Sequence, residues 1–429
     1  MRDLLLVNGH LIDPVAGIDA PRDLLLRDGR VAAVESPGGL RDVADAERFD
    51  AAGLVVAPGL IDLHVHLREP GQTYKETIAT GTAAAAAGGF TTVVAMPNTV
   101  PVNDSVATTL WMQEAARGAV VSLAVMPAAT VGSLGGELTD FEALCDLGGA
   151  VGFTDDGKPI LEDAVMRRAL IAAARAGVPI SQHAEDTRLT GGCSMNAGAL
   201  AFRLGLRGMT VEAEARIVER DIALLREIEE TEGLRPHLHV QHVSTGRALG
   251  AIREAKRQGL HVTCEAAPHH FTLNENSVGD YDTNAKMNPP LRSESDRLAL
   301  LEALLDGTVD CLATDHAPHA RYEKEVEFER AANGITGLET ALGLALRVLH
   351  REQGLPIARI VSLMSAHPAE IALSREHGTL LVGSRADVTM FAPGQEWTFD
   401  VRKTLSKSRN TPFDQAPMLG RVMATICKG

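Results

Sequence analysis

Seven histidines and aspartates that could bind a metal ion recur along the chain, each within or just after a short apolar run. They are His64, His66, Asp155, Asp156, His183, His242 and Asp315. His64 and His66 are two residues apart, so both would point to the same face of a β-strand and could reach one ion. Imidazole and carboxylate ligands together suit Zn²⁺, Co²⁺, Mn²⁺ or Fe²⁺. Such an ion polarises a carbonyl and lowers the pKa of bound water toward about 7. The residues therefore predict metal-assisted hydrolysis.

Each of these features has an ordinary structural explanation when it is taken alone. A His-x-His pair is often incidental, Asp155-Asp156-Gly157 is typical of a turn, and Asp315 could cap a helix. The residue types do not separate Asp155 from Asp156 as a ligand. A metal site follows only if the fold brings these side chains to one place.

The elements that must position them alternate between short β-branched strands and longer helical stretches. The predicted strands are 60–66, 91–97, 120–126, 150–154, 179–183, 237–243, 261–265 and 309–314. The predicted helices are 75–87, 105–117, 141–147, 162–176, 211–230, 247–257, 296–305 and 338–352. Eight strand-then-helix units predict an α/β fold with a (β/α)₈ TIM-type barrel, whose reactive groups lie at the carboxyl ends of the strands.

Both ends of the chain contain short alternating runs instead. These runs are 3–7, 23–26, 31–34 and 53–56 at the start, and 378–383, 386–391, 397–399 and 423–426 at the end. Asn8-Gly9 and Asp28-Gly29 are typical of hairpin turns. Neither end has enough strands for a stable sheet alone. We therefore expect one small β-sandwich domain from 1–57 and 376–429, beside a hydrolase barrel at 58–375.

Composition and charge exclude several classes of protein. The chain has 429 residues and a net charge of −15, which disfavours binding to nucleic acid and to anionic membranes. No apolar run is long enough to span a membrane, and the N-terminus lacks signal-peptide features. The five cysteines are scattered without a Cys-x-x-Cys pair, so neither a disulfide framework nor a zinc ribbon is expected. These features favour the cytoplasm.

The whole chain resembles the amidohydrolase superfamily and, within it, the bacterial class I dihydroorotases. The matching motifs are HVHLREPG at 64–71, MPNTVP at 96–101, FTDDG at 153–157, HAED at 183–186, QHVST at 241–245 and TDHAPH at 314–319. The resemblance implies reversible cyclisation of N-carbamoyl-L-aspartate to L-dihydroorotate, a step of pyrimidine synthesis that needs one or two zinc ions.

The resemblance also implies a role for each metal-binding residue. His64 and His66 match the ligands of a first zinc ion, and His183 and His242 match those of a second. Asp156 matches the carboxylate that ligates the first ion and bridges to the second. Asp315 matches the catalytic acid and base, which lies next to the first metal and counts among its ligands.

The predicted substrate is an anion, so a cation should hold its carboxylate. The planar guanidinium of Arg68 can bind a carboxylate through two hydrogen bonds, and the Asn98 amide could assist. In the family that the chain resembles, an Arg, an Asn and a His form this clamp. Here they match Arg68, Asn98 and His319. The remaining matched substrate contacts are His66, Asn288, Asn333 and Gly334. Segments 318–334 and 191–208 are candidate lids.

Two other functions stay open. Hydantoinases and most allantoinases resemble this chain but use a carbamylated lysine at the end of strand 4. The nearest lysine here, Lys158, lies past the turn, which disfavours that cyclic amidase activity. A non-catalytic partner subunit of aspartate carbamoyltransferase would lack several ligands, whereas all are present here. A homo-oligomer is expected, and a complex with that transferase stays open.

Overall fold

The computed structural model describes residues 3–43 and 45–429, and it places strands from both ends of the chain in one sheet. These strands are β1 (Leu4–Asp13), β2 (Ile18–Arg27), β3 (Arg30–Glu35), β4 (Glu47–Asp50), β5 (Val55–Pro58), β15 (Val388–Thr398) and β16 (Pro417–Ile426). Their order is β16-β15-β5-β1-β2-β3, with β4 also paired to β1. An apolar core of its own, which includes Leu6, Leu24, Val56 and Met390, stabilises this sheet.

Only one of the two predicted hairpin turns at the N-terminus is a turn. Asp28 and Gly29 both have positive φ and join β2 to β3 through the pair Arg27 and Arg30. The prediction for Asn8-Gly9 is wrong, because these residues lie inside β1 at an irregularity in its register. A Cβ on Gly9 would approach the Val56 side chain to 2.5 Å, so glycine serves close strand packing there.

Eight segments in the middle of the chain run in the same direction and are hydrogen-bonded in order. They are β6 (Leu60–Val65), β7 (Phe90–Ala95), β8 (Ser122–Val125), the segment 150–154, β9 (Ile180–Gln182), β12 (Leu238–Val240), β13 (Val262–Ala266) and β14 (Cys311–Leu312). The last segment returns to the first, because the His66 amide donates to the His316 carbonyl at 2.9 Å. We call the end where these segments finish the carboxyl face.

The fourth predicted strand, 150–154, is not a regular strand. Its contacts with the neighbouring strands include a bridge from Phe153 to Ile180 and a hydrogen bond from the Val151 amide to the Val125 carbonyl. Gly152 allows the Met126 side chain and Pro179 to approach closely, since a Cβ there would lie 3.0 Å from the Met126 methyl carbon. The segment still occupies the place in the order that was predicted for it.

Helices follow most of these segments, and short insertions add further elements at the carboxyl face. The helices are α1 (Ile78–Ala87), α2 (Val106–Ala115), α3 (Phe141–Asp146), α4 (Asp163–Ala176), α5 (Thr187–Thr190), α6 (Ala199–Leu204), α7 (Glu212–Glu232), α8 (Gly246–Arg257), α9 (Pro268–Thr272), α10 (Glu294–Asp306), α11 (Arg321–Lys324), α12 (Ala341–Ala345), α13 (Ile357–Val361) and α14 (His367–Ala372). Strands β10 (Met195–Asn196) and β11 (Gly208–Met209) form a two-stranded insertion. Within residues 3–43 and 45–429, no helix is both long and apolar enough to cross a membrane.

The main apolar core lies between the ring of strands and the helices that surround it. Leu170 of α4, Leu225 of α7 and Leu300 of α10 are fully buried there, together with Ile180 and Val240 from the strands. Burial of such side chains is the chief stabilising term for a fold of this kind. This core therefore holds the strand ends, and the side chains that follow them, in fixed positions.

Candidate active site

The first histidine pair lies at the end of β6, and one nitrogen of each ring is held by a neighbour. His64 Nδ1–H donates to Glu265 Oε1 at 2.6 Å, and His66 Nδ1–H donates to Asn98 Oδ1 at 2.8 Å. A carboxylate and an amide oxygen only accept, so Nδ1 carries the proton in both rings. The Nε2 atoms of His64 and His66 then lie 3.2 and 3.4 Å from the Asp156 carboxylate. Both lone pairs face one carboxylate.

The second histidine pair follows β9 and β12. His183 Nε2–H donates to Glu185 Oε2 at 2.9 Å, which leaves its Nδ1 lone pair free. That Nδ1 lies 3.0 Å from His242 Nε2, and both nitrogens lie 3.8 Å from Asp156 Oδ1. Asp156 is therefore shared between the two histidine pairs.

The structure distinguishes the two neighbouring aspartates that the residue types left equivalent. Asp155 turns away from the histidines and accepts hydrogen bonds from the Thr130 amide, at 2.9 Å, and from the Thr130 hydroxyl. Asp156 is buried among the four imidazoles. Asp155 thus fixes the loop, and Asp156 is the carboxylate that could bind a metal.

The donor set fits a divalent cation. Two groups of three side chains, His64 with His66 and Asp156, and Asp156 with His183 and His242, have ligand atoms within 4.8 Å of one another. His64 Nε2 and Asp156 Oδ1 are buried and have no hydrogen-bond partner in the described part of the chain. Buried polar atoms are normally satisfied. Nitrogen and carboxylate ligands in these groups suit zinc or a similar ion, which would satisfy both atoms.

Negative charge persists at the centre despite burial. Burial alone would raise the pKa of Asp156, but His64 and His242 hold that pKa well below its ordinary value. Burial would likewise raise the pKa of Asp315, and His64 and His66 lower it. Both carboxylates are therefore anionic near neutral pH, as cation binding and proton acceptance require.

Asp315 follows β14 and faces the first histidine pair. Its Oδ1 lies 3.0 Å from His66 Nε2 and 3.6 Å from His64 Nε2. The backbone is left-handed at Asp315 (φ 47°), at Arg68 (φ 60°) and at His242 (φ 30°). Such strain in non-glycine residues is concentrated at functional sites, where surrounding structure must maintain it.

These residues enclose a cavity of about 200 Å³ at the carboxyl face, which we call the site cavity. Every predicted site residue except the fully buried His64 lines it. They are His66, Arg68, Asn98, Asp156, His183, His242, Asn288, Asp315, His319, Asn333 and Gly334, and they are joined there by Gly157 and Ala317.

Arg68 and His319 lie side by side in the wall of this cavity. Arg68 lies beyond the end of β6, where its Nε–H donates to the Pro318 carbonyl at 3.2 Å. His319 Nε2–H donates to the Asn333 carbonyl at 2.7 Å. The guanidinium nitrogens Nη1 and Nη2 of Arg68 thus have no strong protein acceptor in the described part of the chain.

Two of the three predicted asparagines, Asn98 and Asn288, also support candidate metal-binding residues. Asn98 uses its Oδ1 on His66, so only its Nδ2 group remains for a substrate. Asn288 Nδ2 donates to Glu185 Oε2 at 2.7 Å and thereby helps to hold the carboxylate that contacts His183. Each asparagine therefore connects a metal-binding histidine to the wall of the site cavity.

Two supporting carboxylates were missed by the sequence analysis. Burial alone would raise the pKa of Glu265, but His64 and His239 lower it to about 2, so this residue is an anion behind the first histidine pair. Glu185 lies behind the second histidine pair, where it accepts hydrogen bonds from His183 Nε2–H and from the Thr190 hydroxyl. The available signal for Glu265 was its position, because it is the carboxylate that ends the predicted strand 261–265.

Comparison with known proteins gives consistent results. The family model described as Dihydro-orotase-like matches residues 53–247. Proteins named Dihydroorotase from Syntrophotalea carbinolica and Anaeromyxobacter dehalogenans are each 48% identical, over 99% and 100% of this chain and 98% of their own. Among solved structures, an L-hydantoinase (dihydropyrimidinase) from Arthrobacter aurescens is 26% identical with a TM-score of 0.87, over 100% of this chain and 95% of that one. A dihydropyrimidinase from Brevibacillus agri, 24% identical with a TM-score of 0.84, shares the fold.

Proposed function

The chain belongs to the dihydroorotase family, and we propose that it reversibly cyclises N-carbamoyl-L-aspartate to L-dihydroorotate in pyrimidine synthesis, using the residues of the site cavity. The observation that carries this proposal is the proximity of Arg68 to the histidine–aspartate cluster. A single cavity of about 200 Å³ offers a guanidinium for a carboxylate and a cation site for the amide to be cleaved.

We assign one or two Zn²⁺ ions to the two groups of ligands. His64, His66, Asp156 and Asp315 would hold the first ion, and Asp156, His183 and His242 the second. A metal ion held by these residues would supply Lewis-acid chemistry, polarising the amide carbonyl and lowering the pKa of water. The hydrogen bonds from Glu265, Asn98 and Glu185 keep the histidine nitrogens oriented toward the metal.

Ring opening requires a proton to move from water to the ring nitrogen. The water oxygen bonds to the carbonyl carbon, the ring C–N bond breaks, and the departing nitrogen gains a proton. Asp315, whose lowered pKa leaves it anionic, accepts the proton from water and delivers it to that nitrogen. In cyclisation, the Asp315 carboxylate takes the proton from the attacking nitrogen of the substrate and delivers it to the oxygen that departs as water.

The substrate carboxylate is held away from the reacting bond. We place it on the Arg68 guanidinium, with the Asn98 amide and His319 beside it. Asn288 and the backbone of Asn333 and Gly334 border the ring. Because three separate parts of the cavity wall contact the substrate, its amide is oriented toward Asp156 and Asp315.

The remaining features of the proposal concern the whole protein. We assign the chain to the bacterial class I type, with its ring of eight segments closed as a (β/α)₈ barrel spanning 58–375. The small β domain comprises 1–57 and 376–429. We place the enzyme in the cytoplasm as a homo-oligomer, and its copurification with aspartate carbamoyltransferase would identify a larger assembly.

A hydantoinase-like activity is less consistent with the site. Solved hydantoinases share the fold. The lysine nearest to the bridging position, Lys158, lies beyond the Asp155-Asp156-Gly157 turn and is exposed, so it does not take the place of the carbamylated lysine. Asp156 occupies the position between the two histidine pairs. Neutral rings such as dihydrouracil and allantoin would also leave the Arg68 guanidinium without a carboxylate.

The test is a panel of ring substrates with the purified, zinc-loaded protein. We expect L-dihydroorotate to be opened and dihydrouracil and allantoin to be left intact. Arg68→Lys should raise the KM for dihydroorotate at least about 10-fold, because a point charge cannot replace two parallel hydrogen bonds. Turnover of the neutral rings alone, or an unchanged KM in the variant, would contradict the assignment.

A further inference from the structure

A second cavity, of about 510 Å³, has His319 in its lining, as the site cavity does. Its lining includes His319, Arg321, Lys324, Lys407, Arg409 and Asn410. Its volume falls within the range of small-molecule sites. His319 therefore belongs to the lining of both cavities.

The lining of the second cavity is strongly positive in a chain whose net charge is −15. Arg321, Lys407 and Arg409 contribute three cations, whereas burial lowers the pKa of Lys324 to about 7. Glu325 is the one carboxylate of the lining, already bonded to Arg321 at 2.5 Å. The field of the whole protein repels anions, so a local cluster of cations has a large effect on where an anion first binds.

Most of these cations are not neutralised by the protein. Lys407 Nζ donates to the Thr73 carbonyl, and the Arg409 guanidinium donates to carbonyls of its own loop. Neither they nor Lys324 has a carboxylate within 4.0 Å in the part of the chain that the structure describes. Lys407 and Arg409 are exposed, so their charge is available to a ligand.

Buried contacts fix the backbone that presents these cations. The Glu76 carboxylate accepts hydrogen bonds from the Ser406 hydroxyl and, at 3.0 Å, from the Lys407 amide. The buried Asn410 accepts from the His319 amide at 3.0 Å and donates to the Ala317 and Gly334 carbonyls, also at 3.0 Å. The loop that carries Lys407 and Arg409 is thereby attached directly to the wall of the site cavity.

Arg68 continues the positive charge on the far side of His319. Its Nη2 lies 3.5 Å from His319 Nε2. Burial, and after it the charges of Arg68, Lys75 and Lys324, lower the pKa of His319 to about 2. His319 is therefore neutral, and it links the cavity that Lys407 and Arg409 line to the guanidinium that we assign to the substrate carboxylate.

We propose that the second cavity is an anion-binding vestibule, in which the carboxylate-bearing substrate is first held before it reaches Arg68. This inference rests on the proposed function, because it takes N-carbamoyl-L-aspartate, with two carboxylates, and L-dihydroorotate, with one, as the anions concerned. Lys407 and Arg409 supply the attraction at the entrance.

The test removes two positive charges at the vestibule. It compares the kinetics with those of a variant that loses two positive charges near the amino ends of the strands. Lys407→Gln/Arg409→Gln is the test variant. Arg117→Gln/Arg175→Gln is the matched control, because these exposed arginines follow α2 and end α4, near the amino ends of the strands. Lys407→Arg/Arg409→Lys keeps the charge and should behave as the wild type.

We expect the test variant to lose about 3- to 10-fold in kcat/KM at low salt, with kcat within twofold of the wild type. Forward and reverse kcat/KM share one equilibrium constant, so both should fall by the same factor. The loss should vanish near 0.5 M salt, where the Debye length is only a few Å. An unchanged kcat/KM at low salt, or a loss that persists at high salt, would overturn the vestibule.

Binding of succinate, an unreactive dicarboxylate, separates this inference from the proposed function. Calorimetry at low salt should show weaker succinate binding to the test variant than to the control variant. If the wild type failed to interconvert the two substrates, the proposed function would fall, and succinate binding would still decide the vestibule. Equal succinate binding by the test variant and the control variant would refute the vestibule.

Discussion

At the scale of single residues, the candidate metal-binding histidines are oriented by the hydrogen-bond acceptor at the second nitrogen of each ring. Glu265 holds His64, Asn98 holds His66, and Glu185 holds His183. Each of these acceptors fixes which nitrogen carries the proton, so the other presents its lone pair to the shared carboxylate. The cluster is thus oriented to bind a cation.

Asp315 gives the most direct residue-scale prediction. We expect Asp315→Ala to bind at least one zinc ion per chain and to lose at least about 10³-fold in kcat, because the proton carrier is removed. Steady-state rates in both directions and the zinc content of the purified variant measure this. Near-normal turnover would show that another group moves the proton.

Glu265 should act on metal affinity through His64. We expect Glu265→Gln to weaken zinc binding about 10- to 100-fold, as supporting carboxylates of metal-binding histidines commonly do. Competition with a zinc-binding chromophore would measure the affinity. Excess zinc should restore much of the activity, whereas an activity loss at unchanged zinc affinity would mean that Glu265 has a different role.

At the scale of elements, a buried ionic contact holds the loop after β12 to a neighbouring helix. Glu214 of α7 accepts from the Ser244 and Thr245 amides, at 3.1 and 2.9 Å, and lies 3.6 Å from the Arg292 guanidinium. These residues directly follow the metal-binding His242. Glu214 therefore connects the loop after β12 to the helix that packs beside it.

The pH dependence of this contact can be predicted with its sign. Burial alone would raise the pKa of Glu214, but Arg292 and the Ser244 and Thr245 bonds lower it below its ordinary value. A carboxyl whose folded-state pKa is lowered stabilises the fold above the unfolded-state pKa of about 4.3, and the stabilisation is lost as the pH falls through the folded-state value.

We therefore expect Glu214→Gln to be less stable than the wild type by about 3–5 kcal/mol at pH 7, as when one partner of a buried ion pair is removed. The difference between their melting temperatures should narrow below about pH 4. Thermal unfolding of both proteins from pH 7 downward measures this. If the difference between the two melting temperatures stayed constant with pH, the lost stability would come from packing and not from the ionised carboxylate.

Sequence reasoning placed most of the parallel strands and their helices because the alternation of β-branched and helix-forming runs is local. It failed where a local pattern serves a distant contact. Asn8-Gly9 has the composition of a hairpin turn, but Gly9 permits close packing on Val56 inside β1. The segment 150–154 has the composition of a strand, but it is held by isolated hydrogen bonds.

The candidate site was predicted to a greater extent, because its residues directly follow strands and match known motifs. The supporting contacts were not predictable in the same way. Asn410 lies nearly a hundred residues after His319, within the range assigned to the small β domain, yet it bonds to the wall of the site cavity. Nothing in the spacing of residues indicates such a contact.

At the scale of the whole molecule, cavity size does not indicate the site. A cavity of about 840 Å³ lies beside Ser122, where β8 begins, and Pro179, just before β9, so it opens at the amino ends of the strands. The site cavity is about a quarter of that volume, at about 200 Å³. Convergence of imidazoles, carboxylates and a guanidinium marks the smaller one as functional.

We propose that the shared histidine–aspartate cluster holds the metal with which this chain interconverts dihydroorotate and carbamoyl aspartate. The most direct test is the ring opening of L-dihydroorotate by the purified protein as isolated, after removal of metal by a chelator, and after zinc is added back. We predict that turnover is lost with the metal and restored by zinc. Turnover that persists in the fully metal-free protein, or none after one or two zinc ions per chain have bound, would contradict the account.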